Sequence, residues 1–195
     1  MTTVQQVYEV MQRLAPPELA EHWDNPGLLV DCGGEVRRVL VTLDITPEVV
    51  AEAAAKQCTV IVAHHPVIFD PLKRLCPADV PYQLVRAGIS AICMHTNLDA
   101  AEGGVNDVLA DLFSIRQRTV FADGCGRVGD IDPITVPELA ALAQHKLAAL
   151  CNAPDTGAAV QVKFADTGKP VHRLAVISGA GGSLFAEAIA EGADC

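Results

Sequence analysis

The sequence predicts an α/β fold with largely parallel sheets flanked by helices. Three nearly continuous aliphatic runs are the main observation, because strands buried on both faces have this composition. Helical patterns separate these runs, so each strand is expected to connect to the next through a helix. The predicted strands span residues 36–43, 59–63 and 90–94.

The predicted helices follow from apolar spacing and from residues that begin or end helices. Apolar residues recur at helical spacing over residues 4–14, and Pro16 ends that pattern. Thr46 and Pro47 supply an N-cap and a first-turn proline for a helix through Lys56. Further helices are predicted at 79–86, at 105–112, at 135–150 and from Leu184.

The chain is expected to contain two α/β halves. Residues 1–123 form the first half, and residues 124–195 form a linker and the start of an incomplete second half. The segment 124–133 is rich in Gly, Asp and Pro, which favours a boundary or an elaborated loop. Two more strands are predicted at 159–164 and 171–177.

An internal repeat relates the two halves at a fixed offset of 135 residues. Residues 36–60 align with residues 171–195 without a gap, so that strand, loop, helix and next strand coincide. The positions that correspond to His64 and His65 would fall beyond Cys195. Either the second copy lacks an equivalent site or the chain is a truncated piece of a longer protein, and we expect truncation.

Composition excludes several classes of protein. The net charge of −10 argues against nucleic-acid binding, which needs clustered Lys and Arg. No apolar run has the length of a membrane span, and the N-terminus lacks a signal-peptide pattern. The seven cysteines are scattered without a C-x-x-C motif, which favours a reduced, cytoplasmic protein.

Polar residues follow each of the three predicted strands, where parallel α/β sheets bind ligands. Asp44 follows the first strand, His64 and His65 the second, and His95 with Asp99 the third. We predict His64, His65 and Asp99 as ligands of a divalent metal ion. His95 and Asp44 are expected either to orient these ligands through hydrogen bonds or to bind metal themselves.

The ligand types leave several choices open. Imidazole and carboxylate suit Zn, Fe, Mn, Co or Ni without selecting among them. Adjacent histidines on an extended segment point in opposite directions, so they serve two ions, or one ion if Pro66 makes the backbone turn. Three protein ligands leave positions for water and substrate, as in hydrolytic metal sites. The glycine-rich loop 179–183 lacks a P-loop lysine and favours a tight turn over a phosphate site.

Several motifs in order along the chain resemble the Nif-three-like family, also called GTP cyclohydrolase I type 2 homologues. The two histidine motifs are the most specific of them. The motifs are Trp23-Asp-Asn-Pro-Gly-Leu28, Leu43-Asp-Ile-Thr46, Ala63-His-His-Pro-Val-Ile-Phe69, His95-Thr-Asn-Leu-Asp99 with its continuation to Asp107, Gly126-Arg-Val-Gly129 and Ser178-Gly-Ala-Gly-Gly-Ser183.

The resemblance implies a toroidal homohexamer whose subunits each carry two divalent metal ions. His64, His65 and Asp99 match three of the family's ligands, and the others belong to a late His-x-x-x-Glu stretch that this sequence does not contain. The implied function is a metal-dependent hydrolase acting on a nucleotide or phosphorylated small molecule, with GTP ring opening as the named activity. The alternative is a non-catalytic toroidal assembly with a metal-binding or regulatory role.

Overall fold

The computed structural model describes residues 1–150 and 160–195. The chain folds into two compact units. The first unit is Met1–Val105 and the second is Asn106–Cys195. Each unit contains a sheet of its own. The expected division after residue 123 falls inside the second unit, in the turn between two strands that pair with each other. No helix in the described part of the chain is long and apolar enough to cross a membrane.

The first unit contains a four-stranded sheet with the order β1-β4-β3-β2. The strands β2, β3 and β4 run parallel, which confirms the prediction for this part of the chain. The sequence patterns did not predict β1, which is an antiparallel edge strand beside β4. The strands are β1 (Gly27–Val30), β2 (Val39–Thr42), β3 (Val60–Ala63) and β4 (Ser90–Cys93).

Helices cover both faces of this sheet. On one face Val60 and Val62 pack in a cluster with Val4 of the first helix, while Ile61 packs on the other face with Ala53 and Leu84. This alternation buries the central strands on both sides and fixes where their ends lie. The helices of this unit are α1 (Val4–Leu14), α2 (Pro47–Ala55), α3 (Val80–Ala87) and α4 (Thr96–Ala100), and a 3-10 helix spans Pro17–Leu19. The next helix, α5 (Val105–Leu112), begins at the last residue of the first unit and packs in the core of the second.

The second unit contains a three-stranded antiparallel sheet with the order β5-β6-β7. A tight turn joins β5 to β6, so no crossover helix makes them parallel. The helix predicted at 135–150 is present, as is the one after Leu184. The elements are β5 (Arg116–Phe121), β6 (Gly126–Ile134), α6 (Val136–Leu150), β7 (Val171–Val176) and α7 (Phe185–Ala190), with 3-10 helices at Ala122–Gly124 and Gly181–Leu184.

The prediction of a loop or boundary at 124–133 is wrong, because most of this segment is the central strand β6. Its glycines serve close packing. A Cβ on Gly126 would lie 2.3 Å from the Phe121 ring, and a Cβ on Gly129 would lie 2.3 Å from the Arg116 carbonyl oxygen. Pro133 lies where pairing with β7 is irregular, a place where a strand tolerates proline.

The strand predicted at 159–164 is absent from residues 160–164, and residue 159 lies outside the described residues. The Gln144 side chain donates to the Val160 carbonyl there. Beyond α7, the Asp194 N–H donates to the Arg173 carbonyl and the Ala175 N–H donates to the Cys195 carbonyl, which places residues 194–195 beside β7. The internal repeat between residues 36–60 and 171–195 stays a prediction.

Candidate metal centre

The ends of the parallel strands bring histidines from two loops to one edge of the first sheet. The His64 N–H donates to the Thr42 carbonyl and the His65 N–H donates to the Leu43 carbonyl, at 3.3 and 3.0 Å. These bonds continue the pairing of β2 with β3 past the ends of both strands. The positions of the two histidines are therefore set by the backbone of the sheet.

Among the described residues, His64, His65 and His95 form a cluster that could hold a metal ion. One potential ligand atom from each lies within 4.8 Å of the other two. The ring centroids of His64 and His65 are 5.1 Å apart, and so are those of His64 and His95. Although His64 and His65 are neighbours in sequence, both rings enter the same cluster because β3 has already ended at Ala63.

The His64 imidazole is held in one tautomer. Its Nδ1–H donates to the Met94 carbonyl oxygen at 2.9 Å, and because a carbonyl only accepts, Nε2 carries the free lone pair. Burial lowers the pKa of His64 below its ordinary value, although the Asp99 carboxylate acts in the opposite direction. The ring is therefore held in the neutral form that binds metals.

The other two histidines are oriented by carboxylates. His65 Nδ1–H donates to Asp44 Oδ1 at 2.6 Å, and His95 Nδ1–H donates to Asp24 Oδ1 at 2.8 Å. Both Nε2 atoms are thereby left to accept a ligand. This carboxylate–histidine arrangement is the one that fixes ring orientation around metal ions in proteins. Asp44, which was expected either to orient a ligand or to bind metal, contacts the Nδ1 atom of His65.

Asp24 is a functional candidate that the sequence reasoning did not select. Its side chain is completely buried. Burial acts to raise its pKa, but hydrogen bonds from Thr96, His95 and Asn25 outweigh burial and hold the pKa below the ordinary value. The carboxylate accepts the Thr96 N–H and hydroxyl on Oδ2, at 3.0 and 2.5 Å. An ionised, fixed Asp24 therefore holds His95 in place.

The structure places each of the predicted site residues at this edge of the sheet. His95, which was expected either to orient ligands or to bind metal, has its ring in the cluster with His64 and His65. Asp99, which was expected to bind metal, lies beside the cluster with Oδ1 at 3.8 Å from His64 Nε2. The assignment of individual ligands stays a prediction.

The donor set fits a divalent transition metal. All three imidazoles have Nδ1 bound to an oxygen acceptor, so Nε2 of each is free for a metal. Two ligands of one ion can lie up to about 4.2 Å apart, twice a Zn–N bond of about 2.1 Å, so the 3.8 Å between His64 Nε2 and Asp99 Oδ1 is compatible with a shared ion.

Two exposed aromatic side chains border the cluster. The Trp23 ring centroid lies 6.3 Å from that of His95 and 6.0 Å from that of Phe69. Asn25 connects the two loops that carry them, because its side-chain amide donates to the Ile68 carbonyl at 2.7 Å. Trp23 therefore lies against the His95 side of the cluster, with Phe69 next to it.

Comparison with known proteins identifies the family. The family model described as Duf34/NIF3 (NGG1p interacting factor 3) matches residues 2–195. The chain belongs to the Duf34/NIF3 family. A relative from Streptococcus pneumoniae serotype 4, named GTP cyclohydrolase 1 type 2 homolog, is 32% identical over 201 residues, which cover 97% of this chain and 73% of the relative. The family resemblance predicted from the motifs is thus confirmed.

Solved structures confirm the α/β fold of this Duf34/NIF3 protein. The Staphylococcus aureus protein SA1388 matches with a TM-score of 0.79 and 26% identity, over 98% of this chain and 77% of the other. A Bacillus cereus protein related to NIF3 matches with a TM-score of 0.82 and 21% identity, over 99% and 81% of the two chains. The second likeness is one of fold alone.

Proposed function

We propose that this Duf34/NIF3 protein is a metal-dependent hydrolase with a dinuclear centre, acting on a nucleotide or a phosphorylated small molecule. The name of the relative, GTP cyclohydrolase 1 type 2 homolog, supports this choice of substrate class. The observation that carries the proposal is the cluster of His64, His65 and His95, with each Nδ1 bound to an oxygen acceptor. These hydrogen bonds fix the tautomer and the orientation of each ring, so that each Nε2 is available as a metal ligand.

A second ion is supported by the distribution of carboxylates around the cluster. Asp99 lies on the His64 side, and Asp44 lies on the His65 side. Carboxylates beside imidazoles whose Nε2 atoms are available make the site attractive to cations. Asp44 is engaged by His65 Nδ1, whereas Asp99 lies near His64 Nε2, so Asp99 is the carboxylate that would share a second ion with the cluster.

The residues have separable tasks in such a site. Divalent ions supply Lewis acidity that polarises a substrate and activates water. Asp24 and Asp44 hold the rings of His95 and His65 in a fixed orientation through Nδ1. His65 is the more open of the neighbouring pair, with 46% of its side chain exposed against 19% for His64. A substrate therefore approaches from the His65 side.

Turnover by the metal-loaded protein tests the hydrolase proposal. Hydrolysis of a panel of nucleotides and sugar phosphates is measured for the wild type, His65→Ala and His145→Ala. His145 is an exposed histidine on α6 and controls for the loss of any imidazole. We expect at least a hundredfold loss of kcat/KM in His65→Ala and none in His145→Ala. Equal rates in all three proteins, or no turnover by the wild type, would favour a non-catalytic metal-binding assembly.

Assembly into a homohexameric ring is a further part of the proposal. Large apolar side chains are exposed on the first unit, including Leu43, Leu72 and Leu75. A subunit interface would bury such side chains, which favours self-association. Light scattering coupled to size-exclusion chromatography measures the mass directly. A mass of six chains supports the ring, and a monomer across the micromolar range contradicts it.

A further inference from the structure

Two large aromatic side chains beside the histidine cluster remain open to solvent. Trp23 is 52% exposed and Phe69 is 48% exposed. Their ring planes are tilted by 45° to each other, and the Trp23 ring meets the His95 ring edge to face at an interplanar angle of 78°. What distinguishes these two rings from other exposed apolar side chains is that they contact each other and that Trp23 also contacts His95, so they form a continuous aromatic surface beside the histidine cluster.

The two rings are fixed to the metal centre by the hydrogen bonds of their neighbours. Trp23 directly precedes Asp24, whose buried carboxylate holds His95. Phe69 directly follows Ile68, whose carbonyl accepts the Asn25 amide. Trp23 is thus adjacent in sequence to the residue that holds His95, and the Asn25–Ile68 hydrogen bond holds the Phe69 loop beside the Trp23 loop.

We propose that Trp23 and Phe69 form a stacking surface for a planar heteroaromatic ring of the substrate. The proposal rests on the proposed function and deepens it, because it selects nucleotide-like substrates over phosphorylated sugars that lack a ring of this kind. Stacked or tilted aromatic rings lie with centroids about 4.5–7 Å apart. Since Trp23 lies 6.3 Å from His95, a heterocycle on Trp23 has its edge next to the histidines.

The charges around the site favour recognition of a nucleotide substrate through its heteroaromatic ring. The carboxylates of Asp24, Asp44 and Asp99 surround the histidines and repel a phosphate in the absence of bound cations. A neutral heterocycle meets no such repulsion, and stacking on an aromatic side chain tolerates different bases. The aromatic pair thus supplies affinity for the part of a nucleotide that the metal ions do not attract.

A binding experiment on the metal-loaded protein separates this proposal from hydrolysis. Isothermal titration calorimetry gives the Kd for guanosine 5′-monophosphate and for ribose 5-phosphate, in wild type, Trp23→Leu and Phe69→Leu. Leucine keeps apolar volume but cannot stack. Phe185→Leu, at an exposed position on α7, is the matched control.

We expect the wild type to bind guanosine 5′-monophosphate at least tenfold more tightly than ribose 5-phosphate. Trp23→Leu and Phe69→Leu each lose about tenfold for the nucleotide and leave the Kd for ribose 5-phosphate unchanged. Phe185→Leu changes neither value. Because ribose 5-phosphate reports on the metal and phosphate contacts, unchanged binding of it also shows that the variants remain folded.

The proposal is overturned if the wild type binds both ligands equally, or if Trp23→Leu and Phe69→Leu bind the nucleotide as tightly as wild type does. Trp23 is the only tryptophan, so its fluorescence reports on the stacking surface alone. Stacking quenches this emission, whereas emission that is already blue-shifted and insensitive to bound nucleotide indicates coverage by another subunit and contradicts the proposal. Hydrolysis does not enter these readouts, so absence of turnover with preserved stacking defeats the hydrolase proposal alone.

Discussion

The two sheets of the protein place their polar residues in different ways. In the first unit the strands β2, β3 and β4 run parallel, so the residues that follow them meet at one edge, and His64, His65 and Asp44 gather there. In the second unit neighbouring strands run in opposite directions. Polar side chains in the second unit form ion pairs with each other instead, as the Arg127 guanidinium does with the Asp107 carboxylate at 2.5 Å.

This difference determines which polar groups are available for chemistry. In the first unit the histidines use Nδ1 for structure and keep Nε2 for a ligand. In the second unit the buried Arg127 donates to the Asp107 carboxylate and to two backbone carbonyls, which makes it part of the structure. The comparison predicts that changes in the second unit affect stability, whereas changes at the edge of the parallel sheet affect metal binding.

The largest effect on stability is expected from Arg127→Met. This change removes the guanidinium that donates to the mostly buried Asp107 carboxylate, and breaking a buried ion pair in this way costs roughly 3–5 kcal/mol. Urea denaturation followed by circular dichroism measures the free energy of unfolding. Metal content per folded chain should equal that of wild type. If the free energy of unfolding fell by less than 1 kcal/mol, or if the folded variant bound less metal than wild type, the second unit would not have the purely structural role assigned to it.

The two carboxylates that orient histidines, Asp24 and Asp44, should differ in how much each contributes to metal affinity. Asp24 is fully buried, whereas 56% of the Asp44 side chain is exposed. Losing such a carboxylate typically weakens metal binding about 10–100-fold, and we expect Asp24→Asn near the upper end and Asp44→Asn near the lower. Competition with a chromophoric chelator gives both affinities. Equal affinities for the two variants and the wild type would show that these bonds do not prepare the rings for metal.

The smallest effect is expected from Thr46→Ala at the start of α2. The Thr46 hydroxyl accepts the Val49 N–H, and losing such an N-cap costs about 1 kcal/mol. Thr46→Ser retains the hydroxyl and should keep most of this stability. Because the cap lies near Asp44 in sequence but not in the histidine cluster, metal affinity should stay unchanged. A tenfold loss of affinity in Thr46→Ala would mean that the metal centre depends on the stability of α2.

The sequence predicted the parts of the molecule with strong local patterns. The aliphatic runs predicted the parallel strands, and the rule that ligands bind at strand ends predicted where His64, His95 and Asp99 lie. The patterns missed β1 because it pairs antiparallel at the sheet edge and its two central residues are only partly buried. They missed β6 because its glycines permit close packing, while in sequence they are typical of loops.

Missing β1 also explains why Asp24 was overlooked. Gly27 pairs with Cys93, so the residues before β1 lie next to the residues after β4. This pairing brings Asp24 to His95 although 71 residues separate them in sequence. The motif Trp23-Asp-Asn-Pro-Gly-Leu28 was the available signal, since it contributed to the family resemblance without having a role at the strand ends.

We infer that His64, His65 and His95 bind a divalent metal at the end of the parallel sheet. Elemental analysis measures the zinc bound per chain. It is carried out on purified wild type, His64→Ala and His145→Ala after equilibration with zinc and removal of free ions. We expect at least one ion per chain in the wild type and in His145→Ala, and a clear reduction in His64→Ala. The same zinc content in all three proteins would contradict the claim.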